Sequence, residues 1–349
     1  MITQLIKYSG IATKARAMYG KRLRLQDYER MSTMTSVSDI IDYLRTKPAY
    51  GRALSENPTR SGFSGDYESA IRYIYKDEFL RLYRFLCDES GVLLRLLMVR
   101  YESDEVLHFI RVLISGRQSE YRPYMSDSLR EFSDLPYDSF SKCGDFASFV
   151  EQLSGTPYAQ LLSPFLRDGQ DIPYTRIEVS LRNYYFKRTF DELKEYSDKG
   201  TADEIRGLVG TEIDMMNFNH IIRCKKYFRQ SDEHLYSFLI PISYNLDKKA
   251  LNRMINAKDA DAAFDEIYNT PYRRFFTENR FDNIDRYNDQ LLFDRASRIV
   301  NAGSPSVCVA FAVLYCRQIE IRNIIHIIQG VHYGISPDQI LSYIVSPHK

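Results

Sequence analysis

The segment "GTPYAQLL" (155–162) returns as "NTPYRRFF" at 269–276, and a looser form, "TKPAYGRAL", stands at 46–54. Aligned on the proline (Pro48, Pro157, Pro271), the three copies lie 109 and 114 residues apart. The positions eleven, eight, seven and four before each proline are apolar. They are Val37, Ile40, Ile41 and Leu44; Phe146, Phe149, Val150 and Leu153; and Ala260, Ala263, Phe264 and Ile267. That spacing is one buried face of a helix. Ser36, Asp145 and Asp259 precede the three helices and are good N-caps, since a short side-chain oxygen can accept from the free amides of the first turn. Ser36 with Asp39 resembles a capping box. Each proline is expected to end its helix, because it lacks an N–H and pushes its predecessor out of helical geometry. Further upstream, Tyr28 and Met31, Tyr137 and Phe140, and Leu251 and Met254 recur in register, which predicts a preceding helix and so a helical hairpin.

A second element follows each hairpin: "DEVLHFIRVLI" (104–114), "IDMMNFNHIIR" (213–223) and "IEIRNIIHIIQ" (319–329). Glu105, Asp214 and Glu320 align with separations of 109 and 106 residues, followed three residues later by His108, Asn217 and Asn323. Two landmarks thus agree on a period near 110 residues. That is far longer than a solenoid repeat, so each unit should be a small helical domain. Elsewhere, Thr201 with Glu204 reads as a capping box, and "GISPDQILSYI" opens a last helix with Ser336 as cap and Pro337 at its first position. Alternating strand patterns with tight hairpin turns are missing. The expected fold is all-α, with three tandem helical repeats over 1–116, 117–229 and 230–349. Three units with an equal turn between neighbours can close into a pseudo-threefold cup.

The 47 basic residues against 46 acidic ones leave no field to attract nucleic acid or anionic lipid. Five scattered cysteines (Cys87, Cys143, Cys224, Cys308, Cys316) without a CxxC pair indicate reduced thiols in a cytoplasmic protein. The N-terminus lacks a signal-peptide pattern, and "VCVAFAVLYC" (307–316) is too short to span a bilayer. A soluble protein is expected, with no nucleic acid and no bilayer insertion. The abundance of Tyr (27) and Phe (20) suits half-buried helix faces and interfaces.

No phosphate-cradling glycine loop, zinc-binding H-E-x-x-H or nucleophile elbow occurs, so no cofactor, metal or catalytic residue is nominated. Two polar patterns remain. In "DNIDRYND", Asp282, Asp285 and Asp289 share one side of a helix, as in acidic helices that hold Mg²⁺, although Arg286 interrupts them; a solvated face is the plainer reading. Asp214, Asn217 and His220 recur as Glu320, Asn323 and His326, stacked on neighbouring turns. Convergence would make these a metal or proton site, but hydrogen bonds between helices or the lining of a central cavity explain them more simply. Repeat 1 breaks the set, with His108 and Arg111 in the Asn and His registers.

The order of these signatures resembles the C subunits of the V/A-type rotary ATPases, a family that includes the d subunit of eukaryotic vacuolar pumps. The resemblance is carried by "TKARAMYGKRLRLQDYERM" (13–31), by 219–272 and by "RQIEIRNIIHIIQGVHYGISPDQILSYIV" (317–345). Departures are "TKPAY" in repeat 1 and "GVHY" where a basic residue soon after the glycine is expected. The resemblance implies a funnel-shaped, non-catalytic central-stalk component on the cytoplasmic face of the membrane. It would sit on the proteolipid ring and hold the central shaft, made of the D and F subunits, linking H⁺ or Na⁺ flow to ATP synthesis or hydrolysis. Asn217, His220, Asn323 and His326 are then candidate contacts with the shaft, or alternatively bridges between helices. An all-α Mg²⁺-dependent enzyme and a generic helical adaptor are the competing readings.

Overall fold

A computed structural model describes residues 2–56, 64–86, 90–121, 123, 132–167, 171–228, 232–276 and 284–346. Among the described residues there are helices and turns but no strand. Seven helices of 18 residues or more form the frame of the described residues: α1 (Ile2–Tyr19), α2 (Ser64–Tyr83), α3 (Ser90–Ile114), α4 (Tyr174–Glu195), α5 (Lys199–Arg223), α6 (Ile284–Asn301) and α7 (Val307–His332). After α1 they fall into three pairs, α2/α3, α4/α5 and α6/α7, with a hairpin of short helices before each pair.

The hairpins form as their sequence periodicity predicts. Their helices are Leu25–Ser32 and Val37–Arg45, Tyr137–Phe140 and Phe146–Gln152, and Lys248–Asn256 and Ala260–Asp265. Ile40, Ile41, Leu44, Phe149, Val150, Leu153, Ala263, Phe264 and Ile267 are all buried. The caps hold: Ser36 accepts from the Asp39 amide at 3.1 Å, Asp145 from Ser148 at 2.8 Å and Asp259 from Ala262 at 2.8 Å. Asp39 takes the Ser36 hydroxyl at 2.7 Å and Asp145 takes part in a full capping box with Ser148.

Two local expectations are corrected. The prolines do not end the preceding helices, which stop earlier; Pro157 and Pro271 instead begin the next helical turn, at Pro157–Leu162 and Pro271–Arg274. A fixed φ and a missing donor are harmless at a first helical position, where the amide has no partner anyway. What closes the turn before each proline is the threonine, whose hydroxyl donates to the carbonyl three residues back: Thr46 to Tyr43 at 2.6 Å, Thr156 to Leu153 at 2.7 Å, Thr270 to Ile267 at 2.6 Å. The other correction is at α5, which starts at Lys199 under an Asp198 cap (Asp198 accepts from the Thr201 amide at 3.2 Å), so Thr201 lies within the first turn. At the chain's end Ser336 caps Pro337–Ser342 as expected.

Packing between pairs is cyclic. Helix α4 lies on α3, α6 on α5 and α2 on α7, while α7 also touches α3 and α5. The hairpins follow the same rule, each sitting on the long helix that precedes it in this cycle. Phe140 and Phe149 pack on Phe109 of α3, with ring centroids 5.2 and 4.7 Å away. The hairpin at 248–265 packs on α5, and the N-terminal hairpin packs on α7 at the other end of the chain.

Candidate functional site

The register-matched carboxylates Glu105, Asp214 and Glu320 are buried in α3, α5 and α7. A buried carboxylate is costly unless donors surround it, and each is met by donors from a distant segment. Asp214 accepts from the amides of Tyr244, Asn245 and Leu246 at 3.1, 2.6 and 3.0 Å, and from the Tyr272 hydroxyl at 2.7 Å. Burial pushes its carboxyl above the ordinary range, opposed by those donors. Glu320 accepts from the Leu23 amide at 3.1 Å and from the Tyr50 hydroxyl, and pairs with Arg317. Glu105 accepts from the Tyr121 hydroxyl at 2.6 Å.

The tyrosines explain the recurring Thr-Pro-Tyr signal. Tyr272 reaches Asp214 and Tyr50 reaches Glu320, while Tyr158 donates to Glu102, one turn before Glu105, at 2.7 Å. The motif therefore ties a hairpin to a carboxylate of the long helix beneath it.

One turn further along, Asn217 and Asn323 do the same job in duplicate. Asn217 donates to the Ile240 carbonyl at 3.0 Å and accepts from its amide at 2.8 Å. Asn323 donates to the Val345 carbonyl at 2.6 Å and accepts from its amide at 3.1 Å. Both side chains are buried and both pin an incoming segment to its helix. His220 and His326, a further turn on, are half-buried and exposed respectively. Crowding by neighbouring helices strips water from the rings and lowers both imidazoles, even at the exposed His326; Glu178 and Asp285 work against this at His220, and Asp289 and Asp285 at His326.

Of the acidic triplet, Asp282 lies outside the described residues. Asp285 accepts from Asn219 at 2.8 Å and pairs with Arg223, and Asp289 forms a two-point pair with Arg322 at 2.7 and 2.9 Å. These carboxylates meet arginines rather than one another. Among the described residues no cluster of His, Cys, Asp and Glu has the makings of a metal site.

Two buried networks join distant parts of the chain. Arg317, 2% exposed, forms a two-point pair with Glu78 of α2, both contacts at 2.8 Å, and donates to the Tyr50 hydroxyl at 3.0 Å. Burial opposes its charge, but Glu320 and Glu78 hold its pKa well above the usual value. In the second network Arg100 of α3 pairs with Glu212 of α5 at 2.7 Å, and Tyr315 of α7 donates to Glu212 at 2.6 Å. The hydroxyl of Tyr185 in α4 lies 3.3 Å from that of Tyr315, so one knot holds four long helices from all three pairs. The sequence offered a signal for one of these residues, since Arg317 is the lone charge at the end of the apolar run "VCVAFAVLYCR" (307–317); Arg100 and Glu212 share their runs with Arg95 and Asp214.

Among the described residues no helix is long and apolar enough to cross a membrane. The chain is 19% identical over 359 aligned positions to the A-type ATP synthase C subunit of Methanocaldococcus jannaschii, covering 99% of this chain and 88% of that protein. Residues 11–343 match the family described as ATP synthase (C/AC39) subunit. With nearly its whole length matched, the chain belongs to the ATP synthase (C/AC39) subunit family.

Proposed function

We propose that this protein is a non-catalytic central-stalk component of a V/A-type ATP synthase or ATPase. It couples the membrane proteolipid ring to the shaft made of the D and F subunits, on the cytoplasmic face. Ion flow through the ring, H⁺ or Na⁺, is thereby linked to ATP synthesis or hydrolysis. The observation that carries this reading is the family membership over residues 11–343. The ion site and the nucleotide sites belong to other chains, in keeping with a part that transmits force.

The three repeats, over 1–116, 117–229 and 230–349, close in this reading into a pseudo-threefold funnel. Support comes from the cyclic packing of α2 on α7, α4 on α3 and α6 on α5. A torque coupler must resist twisting between its segments. Close-packed helices have low compressibility, and buried ion pairs tie the segments to one another at fixed points. Of the four candidate contact residues, His220 and His326 face the shaft directly. Asn217 and Asn323 act through the segments they pin, since their amides are already engaged within the chain.

The test is a tagged pull-down from gently solubilised native membranes, with co-purifying chains identified by mass spectrometry. Recovery of proteolipid, shaft and catalytic-head components together supports the proposal. Recovery of unrelated soluble partners, with none of those components, overturns it.

A further inference from the structure

A cavity of about 250 Å³ lies between α2, α3, α4 and α7, beside the knot formed by Arg100, Glu212 and Tyr315. Five of its lining residues are arginines: Arg72, Arg100, Arg111, Arg182 and Arg322. Two are carboxylates, Asp104 and Glu178, and two of the arginines are already met by carboxylates outside the lining, Arg100 by Glu212 and Arg322 by Asp289. Asp104 and Glu178 both face Arg182, at 3.0 and 3.9 Å. The Nε of Arg182 is buried without a hydrogen-bond partner, a donor left unmet within the chain. A buried unmet donor is costly and is normally satisfied by something.

The volume decides what kind of occupant fits. Small-molecule pockets generally run to about 300–1,000 Å³. This one falls below that range and suits a single side chain better than a nucleotide. Arg111 adds a charge at its rim. Arg111, exposed at the cavity's edge, shares a register with His220 and His326, each six residues beyond Glu105, Asp214 and Glu320. Arg182 and Glu178 border the cavity and also act on His220, and Arg322 borders it and acts on His326. Arg111, His220 and His326 are therefore all close to residues that line the cavity.

We infer that this arginine-lined cavity accepts a carboxylate side chain from the partner segment that the molecule holds, with Arg111 and the unmet Nε–H of Arg182 as its ligands. A guanidinium fork matches a carboxylate in two-point geometry, which a lysine-lined site would not provide. The inference rests on the coupling role proposed above and adds the chemistry of the contact: the inserted end of the shaft presents an acidic residue. Coulombic attraction of this kind sets approach rate and register more than raw affinity.

The experiment measures binding of the purified chain to the D–F shaft subcomplex across a salt series, for the natural sequence and for Arg111→Glu. Lys187→Glu, on the exposed side of α4, serves as a control for net charge. Arg111 is exposed, so its replacement leaves the fold intact, which circular dichroism verifies. The expected result is about a tenfold weaker complex for Arg111→Glu with a flatter salt dependence, and no change for Lys187→Glu. Unchanged binding by Arg111→Glu, while the natural chain binds the shaft, overturns the inference and leaves the coupling role standing. If the natural chain does not bind the shaft at all, the coupling role fails. The cavity is then read with a poly-glutamate peptide: binding lost in Arg111→Glu retains the carboxylate site, and no binding overturns it. Inorganic phosphate in a parallel titration separates a side-chain site from a general anion site. Tight phosphate binding by the natural chain also counts against the inference.

Discussion

Asn217 and Asn323 show how a single polar residue does what a run of apolar contacts cannot. Each answers both polar groups of one backbone residue, so removing the side chain strands a buried N–H and a buried C=O. Asn217→Ala is expected to cost about 1–3 kcal/mol in urea unfolding, and Asn323→Ala a similar amount. As distant sites without shared partners, the two costs should add. A loss under a few tenths would mean that water replaces the amide at these positions. The histidines give a pH test at the same scale. His220 and His326 are held below the ordinary value of 6.5 by loss of hydration around their rings, so the unfolded chain takes up protons first as pH falls. Stability therefore drops as pH is lowered from 6.5 toward the folded values, and rises with pH across that window. Replacing both with Gln should flatten the stability–pH curve there; an unaltered slope would assign it to other groups. The Asn and His registers were visible in the sequence because they repeat. Their division of labour was not, because the partners, Ile240 and Val345, enter through backbone groups that leave no mark in a sequence.

Among the elements, helix α5 carries two glycines with opposite expectations. A Cβ on Gly210 would lie 2.5 and 2.7 Å from Cγ and Cβ of Tyr244, atoms too near the backbone to move aside. A Cβ on Gly207 would meet the end of the flexible Arg295 side chain, at 2.2 Å from its Nη2. Gly210→Ala should thus destabilise by about 1–3 kcal/mol through overpacking. Gly207→Ala should come close to neutral, since about 1 kcal/mol of helix propensity offsets the displaced guanidinium. Thermal unfolding of the two variants side by side decides this; equal losses would show that α5 shifts as a whole. The hairpin helices were legible from periodicity alone, since Ile40, Phe149 and Ala263 fall on one face at matching positions. The proline's role is ambiguous in the sequence for a physical reason. Its missing N–H is equally compatible with the end of one helix and the start of another, and the Thr hydroxyl that closes the turn makes the difference.

At the level of the whole molecule, the N-terminal hairpin docks on α7 nearly 300 residues later, through the Leu23 amide and the Tyr50 hydroxyl on Glu320. Arg317 holds the same point against Glu78 of α2. Arg317→Leu would leave two carboxylates buried without a counter-charge, at a cost of about 3–5 kcal/mol. Adding Glu78→Gln and Glu320→Gln should recover much of that loss in urea unfolding. A triple variant as weak as the single one would show that packing, not charge, fixes the closure. The three copies of the hairpin are visible in the sequence, but not that those at 137–152, 248–265 and 25–45 sit on α3, α5 and α7, which is a matter of long-range pairing. Coupling itself is tested most directly by reconstituting the membrane complex in ion-tight vesicles with and without this chain. Without it, the catalytic head is expected still to hydrolyse ATP but to build no ion gradient, and adding the chain back should restore pumping. Undiminished pumping in its absence would contradict the coupling role.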